Sequence, residues 1–153
     1  SIAKDEDYIE SFKINTLGAI NSIKSVLPSL KKNKGSILLY STVAVQQGFA
    51  NHTVISTAKG AVEGLTLSLA AELAPNVKVN CIAPSLTNSN MTKSIVSNIN
   101  IKKALEGMHP IPKIGEGDDF SHIGAFLLSE KNKWMTGQIL HVDGGRSTLR
   151  IKA

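Results

Sequence analysis

Apolar residues in the stretch 51–74, NHTVISTAKGAVEGLTLSLAAELA, fall at Ala58, Val62, Leu65, Leu69 and Leu73, three or four apart. That spacing lays them on one face of an α-helix packed against something larger. A second line, Ala61, Gly64, Ser68 and Ala71, is small throughout and lets another backbone come close. Asn51 is placed to cap the start, and Pro75 stops the helix because the residue before a proline is driven out of the α region. Upstream, Asp5, Glu6 and Asp7 open another helical pattern with Ile9, Phe12, Leu17, Ile20, Ile23, Leu27 and Leu30 on one side. Acids at its start and Lys31, Lys32 and Lys34 at its end complement the helix dipole. Pro28 is expected to bend the last turn, and Gly35 to turn the chain out of it.

Between and after these helices the period changes. The stretch 36–41 contains the unbroken apolar run Ile37-Leu38-Leu39-Tyr40, the pattern of a parallel strand covered on both faces. A loop spans 43–50. Stretches 77–83 and 138–142 read as two more short strands. Ahead of the last, a helix capped by Asp118 or Asp119 turns Ile123, Phe126 and Leu127 inward. Strand, helix, strand at this spacing is a βαβ unit, which closes right-handed. The predicted class is α/β: a parallel sheet with helices on both faces. The stretch 91–108 is polar, with weak helical spacing at Ile95, Ile99, Ala104 and Leu105, and reads as a surface excursion.

With 153 residues, 42% hydrophobic and 19% charged, the chain is long enough for one globular domain with a sizeable core. No apolar run approaches membrane length and no basic-then-apolar leader is seen, so a cytoplasmic protein without membrane association is expected. The single cysteine, Cys81, cannot form an internal disulfide and sits in a strand pattern as a small hydrophobe. The net charge of +5 raises the question of nucleic acid. Its densest cluster lies at a helix end, and the few aromatics do not interleave with it, so no nucleic-acid partner is expected. His109, His122 and His141 lack metal-ligand spacing; they read as structural or exposed, with no metal site.

Candidate chemistry centres on Lys59. His52, Ile55 and Ser56 lie seven, four and three residues before it, on or beside its stripe. Spacing alone also allows a surface lysine paired with Glu63 one turn on. Asn15, polar in mid-helix, reads by itself as solvent-facing or as a local bend. Ser41 and Thr42 stand at the carboxyl end of the first strand, where open α/β sheets bind ligands, although such a pair also forms turns. Pro84-Ser85-Leu86-Thr87-Asn88-Ser89 leaves the second strand at the same rim.

The segment AKGAVEGLTLSLAAELAPNVKVNCIAPS resembles the second half of the catalytic region of the short-chain dehydrogenase/reductase family, and TGQILHVDGG resembles that family's C-terminal signature. FKINTLGAINSIKSVLP around Asn15 and GSILLYST match further upstream, in the family's order, so the likeness runs from about residue 5 to 145. The resemblance implies a single domain, 1–153, part of a doubly wound, Rossmann-like parallel sheet and the C-terminal portion of a dinucleotide-binding oxidoreductase fold whose Gly-rich half is absent. No GxxxGxG occurs, and Gly115-Glu116-Gly117 follows a proline-containing loop rather than a strand. Such a piece leaves an unpaired inner strand, so the other half is expected as further chain or as a partner.

It further implies NAD or NADP, hydride transfer to or from a small-molecule carbonyl or alcohol, and a homo-oligomer, dimer or tetramer, built on the two long helices. Carried over residue by residue, Asn15 holds a proton-relay water and Thr42 takes the substrate-facing serine position. Lys59 binds the nicotinamide ribose, and the loop with Pro84, Ser85, Thr87 and Ser89 touches the nicotinamide. The stretch 91–108 becomes a mobile substrate lid. The sequence departs from the family at its tyrosine, which falls on Ile55, a residue that cannot donate a proton, at its serine, which is Thr42, and in the loop after Pro84, where Ser85 replaces a glycine and Ser89 a threonine. His52 is the nearby residue type suited to proton transfer near neutrality, which makes it the candidate replacement acid. Ser56 is a weaker candidate because an alcohol needs its own activating base. Two other classes stand beside the oxidoreductase: a non-catalytic cofactor-binding or scaffolding relative, favoured by Ile55, and a basic interaction domain, favoured only by net charge.

Overall fold

The computed structural model describes residues 2–151. Helix α1 (Asp5–Phe12) runs into a π-helical turn (Lys13–Leu17) and on into α2 (Gly18–Lys32). Then follow β1 (Ser36–Tyr40), the short α3 (Ala44–Gln47), the long α4 (Thr53–Leu73) and β2 (Lys78–Pro84). The chain closes with α5 (Lys93–Val96), α6 (Ile99–Glu106), α7 (Gly117–Leu128) and β3 (Ile139–Val142). The strands form one parallel sheet in the order β1-β2-β3, with Leu39 opposite Cys81 and Cys81 opposite Ile139. Successive strand residues point to opposite faces, so each face has its own core. Ile37 and Val79 pack with Ile23 of α2 and Ala70 and Leu73 of α4. Ile82 packs with Phe120 and Leu127 of α7, with Leu38 and Leu140 against them. This is the α/β arrangement that the strand and helix periods predict.

Several details differ from the pattern reading. β2 is the central, buried strand, whereas β1 has no second neighbour among the described residues and its Tyr40 is 46% exposed. Among the described residues β1 thus has one open edge, the unpaired inner strand anticipated above; the differences lie in the helices. In α4 the buried line is Ala58, Val62, Thr66, Ala70 and Leu73, while Leu65 and Leu69 flank it. Small residues sit where the helix lies closest to the sheet, and Thr66 satisfies its hydroxyl on the Val62 carbonyl at 2.8 Å. Asn51 is not the cap: it has φ +63°, and His52 occupies the N-cap without a side-chain capping bond.

The π turn adds a residue to one turn and breaks the 3.6-residue face. Ile9, Phe12 and Leu17 are therefore exposed and Thr16 is buried, at 3% exposure. α2 continues through Pro28, and the left-handed residue that ends it is Lys34, at φ +49°. Gly35 follows it, and a Cβ there would meet the end of the Leu30 side chain, Cδ2, at 2.6 Å, which that side chain would have to swing aside to admit. α7 is capped by Glu116, whose main-chain N–H donates to Asp119 at 2.7 Å, and Phe120, not Phe126, turns inward. The stretch 43–50 contains α3, and 91–108 contains α5 and α6, the latter capped by Asn98.

Candidate functional site

Lys59 lies in the second turn of α4, where the helix crosses the carboxyl end of β1. Its Nζ donates to the main-chain oxygen of Tyr40 at 2.9 Å. Glu63 does not pair with it. That carboxylate accepts the hydroxyl of buried Ser41 at 2.5 Å, and Ser41 Oγ also makes a long, 3.5 Å contact to the Lys59 carbonyl. The surface-pair reading of Lys59 is thereby corrected: the first residue past β1 has taken its partner. Desolvation against the sheet lowers the Lys59 pKa from the ordinary lysine value, partly offset by Cys81.

Around this ammonium the strand ends are held together. Ser41 N–H donates to the Ile82 carbonyl at 2.8 Å and Val43 N–H to the Pro84 carbonyl at 3.1 Å, extending the pairing of β1 and β2 beyond Tyr40. Thr42 Oγ1 accepts from Ala44 N at 3.3 Å, which leaves its own O–H free to donate. Ser56 instead commits its hydroxyl to the Ala44 carbonyl at 3.2 Å. Asn15 is half-buried in the π turn, its Nδ2 donating to the Ser11 carbonyl at 3.0 Å. Its neighbour Thr16 donates to the carbonyl of Ala58 at 3.0 Å, pinning the π turn one residue before Lys59. Ile55 is half-buried on α4. His52 is exposed at the helix start, with Nδ1 2.8 Å from the Ala50 carbonyl and its ring edge-on to Phe49 at 5.5 Å. The carbonyl fixes the proton of the neutral ring on Nδ1.

The loop leaving β2 divides into two parts. Thr87 Oγ1 donates back to the Ser85 carbonyl at 3.0 Å, and Thr87 bridges to Gly115. Ser89 Oγ lies 3.1 Å from Thr92 Oγ1. These two hydroxyls shape their own turns and make no contact with Lys59. Ser85 does something else: its Oγ is 2.8 Å from His109 Nε2 and 3.3 Å from Arg146 Nη1. His109, 3% exposed, has Nδ1 2.9 Å from the Leu105 carbonyl. The neutral ring therefore donates from Nδ1 and accepts Ser85's proton at Nε2.

Sequence reasoning missed this cluster, since nothing in spacing relates positions 85, 109 and 146. The joint between them is the Asp143-Gly144-Gly145 turn, with φ of +63° and +86° at the glycines. It presses onto the 109–111 segment: Ile111 N–H donates to the Gly144 carbonyl at 2.9 Å, and a Cβ on Gly145 would meet Pro110 at 3.2 Å. Asp143 accepts from Gly145 N and Ser147 N, both at 2.8 Å, and from the Ser147 hydroxyl. Burial works against its charge, but these bonds prevail and hold its pKa below the ordinary carboxylate value. Ser85, Leu86, His109, Lys113, Phe120 and Asp143 line a cavity of ≈ 190 Å³ beside the turn.

The profile of the family described as enoyl-(acyl carrier protein) reductase matches residues 2–147. The chain is 32% identical over 148 residues to dehydrogenase/reductase SDR family member 4 of Sus scrofa, covering 95% of this chain and 53% of that protein. It is 34% identical over 136 residues to the 3-oxoacyl-(acyl-carrier-protein) reductase FabG of Chlamydia trachomatis, covering 86% and 54%. The chain thus spans about half the length of the curated relatives it matches. Among solved structures, ElxO with NADP bound superposes with a TM-score of 0.89 at 27% identity, over 96% of this chain and 60% of that one. A short-chain type dehydrogenase/reductase from Mycobacterium ulcerans gives 0.87 at 26%, over 96% and 54%. With the fold, the motif order and a match along nearly its whole length in agreement, the chain belongs to the short-chain dehydrogenase/reductase family.

Proposed function

We propose that this chain is the second half of a NAD- or NADP-dependent oxidoreductase that interconverts a small carbonyl compound and its alcohol. The observation that carries this reading is the Lys59 ammonium at the carboxyl end of β1, bonded to one neutral carbonyl and with N–H donors to spare. Those donors suit the hydroxyls of a nicotinamide ribose, and the cofactor supplies or accepts the hydride when bound. Thr42 orients the substrate oxygen with its free O–H. Asn15, in a π turn tied to Ala58, holds the relay water. Pro84 and Ser85 form the rim facing the nicotinamide, while Thr87 and Ser89 hold that rim's shape from within the loop. His52, with Nδ1 engaged and Nε2 available, takes and returns the proton that Ile55 cannot supply.

The names of the relatives, a 3-oxoacyl reductase among them, support carbonyl reduction. In this reading the Gly-rich dinucleotide half pairs along the open edge of β1, and copies associate through α2 and α4, where Val26 and Leu67 are exposed. No helix among the described residues is long and apolar enough to cross a membrane.

Ile55 favours a second reading, a relative that binds cofactor as a scaffold without turning over. One experiment separates the two: titrate the full-length protein with NADH and NADPH by fluorescence, then follow cofactor oxidation with a panel of ketones. Binding with turnover supports the enzyme, and binding without turnover supports the scaffold. No binding of either nucleotide overturns both.

A further inference from the structure

Arg146 leaves the Gly144-Gly145 turn and reaches across the mouth of the sheet. Its Nη1 donates to Ser85 Oγ at 3.3 Å, its Nη2 reaches Met108 Sδ at 3.5 Å, and its guanidinium carbon lies 4.5 Å from the centre of the Phe49 ring. All three neighbours are neutral. Asp143, the acid nearest in the chain, has its oxygens engaged by Gly145 and Ser147, and among the described residues no carboxylate forms an ion pair with Arg146. Burial lowers the guanidinium's pKa from its ordinary value and Asp143 offsets only part of that, yet an arginine stays charged at any pH of interest.

The surroundings fix the guanidinium and leave donors over. Ser85 gives its proton to His109, so it offers Arg146 a lone pair, and the Phe49 ring supports the flat face. A guanidinium carries about five N–H donors in one planar fork. Among the described residues only two are engaged, the one to sulfur weakly. Four segments far apart in sequence thus assemble a partly desolvated cation at the strand ends, beside the cavity that Ser85 and His109 line. The remaining donors, on a side chain that is only partly buried, are open to an anion from outside the chain.

We propose that Arg146 is a specificity-determining residue that receives a carboxylate carried by the carbonyl substrate, with Phe49 and Ser85 holding the guanidinium in place. That the carboxylate belongs to the substrate rests on the oxidoreductase reading above. A planar monoanion matches a single guanidinium fork. A phosphate dianion would call for a second cation, and Lys113 on the cavity wall is already paired with Asp119 at 2.5 Å.

The test uses the full-length protein with acetoacetate and methyl acetoacetate, two ketones that differ in the charge of one end. The acid is expected to exceed the ester in kcat/KM by tenfold or more. Arg146→Met should lower that ratio at least tenfold, and Arg146→Lys, which keeps the charge and loses the fork, should lower it less. A ratio unmoved by Arg146→Met overturns the proposal. Binding is read separately, without cofactor, by saturation-transfer NMR on wild type and on both variants. Signal from acetoacetate but not its ester, lost in the Met variant and partly kept in the Lys variant, supports the carboxylate subsite even if the protein turns over nothing. Equal signals from acid and ester overturn it. Failure of the wild type to bind NADH or NADPH would strike the oxidoreductase reading and leave this comparison standing.

Discussion

Lys59 Nζ lies 2.9 Å from the main-chain oxygen of Tyr40, so the second turn of α4 is tied to the end of a strand 19 residues earlier. A carbonyl accepts the hydrogen bond without cancelling the charge, which leaves a positive centre at the strand ends. Hydrogen bonds to charged groups contribute about 1.5–3 kcal/mol, and roughly 1.4 kcal/mol is tenfold in affinity. Lys59→Met should therefore weaken nicotinamide nucleotide binding by about 10- to 100-fold. Stability should not fall with it, because desolvation already works against the cation. The sign of the pH effect follows. With the folded pKa lowered, the unfolded chain binds more protons between the two values, so wild-type stability rises with pH relative to the variant in that window. Denaturation curves at several pH values check this, and a marked loss of stability in the variant would make Lys59 a structural residue.

Ile55 precedes Lys59 by one helical turn and is half-buried. A phenol there would put a proton donor beside the ammonium. General acid catalysis contributes about 10²–10⁴-fold, so in a His52→Gln background, where no other acid remains, Ile55→Tyr should raise kcat in that range if the rest of the site is in place. Single-turnover kinetics with a reactive ketone would show it. No gain would mean that Thr42 and Lys59 do not converge on one substrate oxygen.

His52 carries the proton in the wild-type chain under the reading proposed above. His52→Gln keeps a side-chain amide able to reach the Ala50 carbonyl but cannot exchange a proton. Turnover should be abolished in the wild-type background and should survive in the Ile55→Tyr background. Unchanged turnover in the first removes His52 from the mechanism.

The strands and α4 were legible because run length and period are direct consequences of burial. Five adjacent residues of β2, Val79–Ala83, are essentially inaccessible, and such a strand reads as near-continuous hydrophobicity. Other features leave no such mark. Thr66 and Ala70 lie on the buried line of α4 because they are small enough for close approach, while a hydropathy pattern favours Leu65 and Leu69. The π turn at Lys13–Leu17 has no composition of its own and shows only as buried Thr16 among exposed apolar neighbours. Ser85, His109 and Arg146 meet across separations of 24 and 61 residues through a glycine turn, and no local period encodes that meeting. The motif order located the rim of the site; the residues that distinguish this chain's site came from tertiary contacts.

Thr16 is the hinge between the π turn and α4. Its hydroxyl donates to the Ala58 carbonyl at 3.0 Å in a buried setting. Valine has the same shape without the O–H, so Thr16→Val should cost about 1 kcal/mol, the net worth of one hydrogen bond. Because Asn15 is held in place by the same turn, kcat should fall more than KM changes. A variant with unaltered denaturation midpoint and kcat would show that the π turn is held by packing alone.

Cys81 tests the burial of the central strand directly. It is 0% exposed, and its thiol pKa is raised from 9.0 to about 11 by desolvation first and by the Glu63 charge second, against smaller opposing contributions from Thr66, Ser41 and Lys59. A folded-state value above the unfolded one means that the native state holds its proton longer. The stability this provides is full below pH 9 and is lost as pH rises from 9 towards 11. Lys59 contributes with the opposite sign nearby, so the thiol must be isolated by difference. The stability margin of wild type over Cys81→Ala should shrink by roughly 1.4 kcal/mol per pH unit through that window, with a flat margin below it. Chemical denaturation at pH 7, 9, 10 and 11 reads the margin. A margin that stays level throughout would mean that solvent reaches the thiol and that β2 is not the closed centre of the sheet.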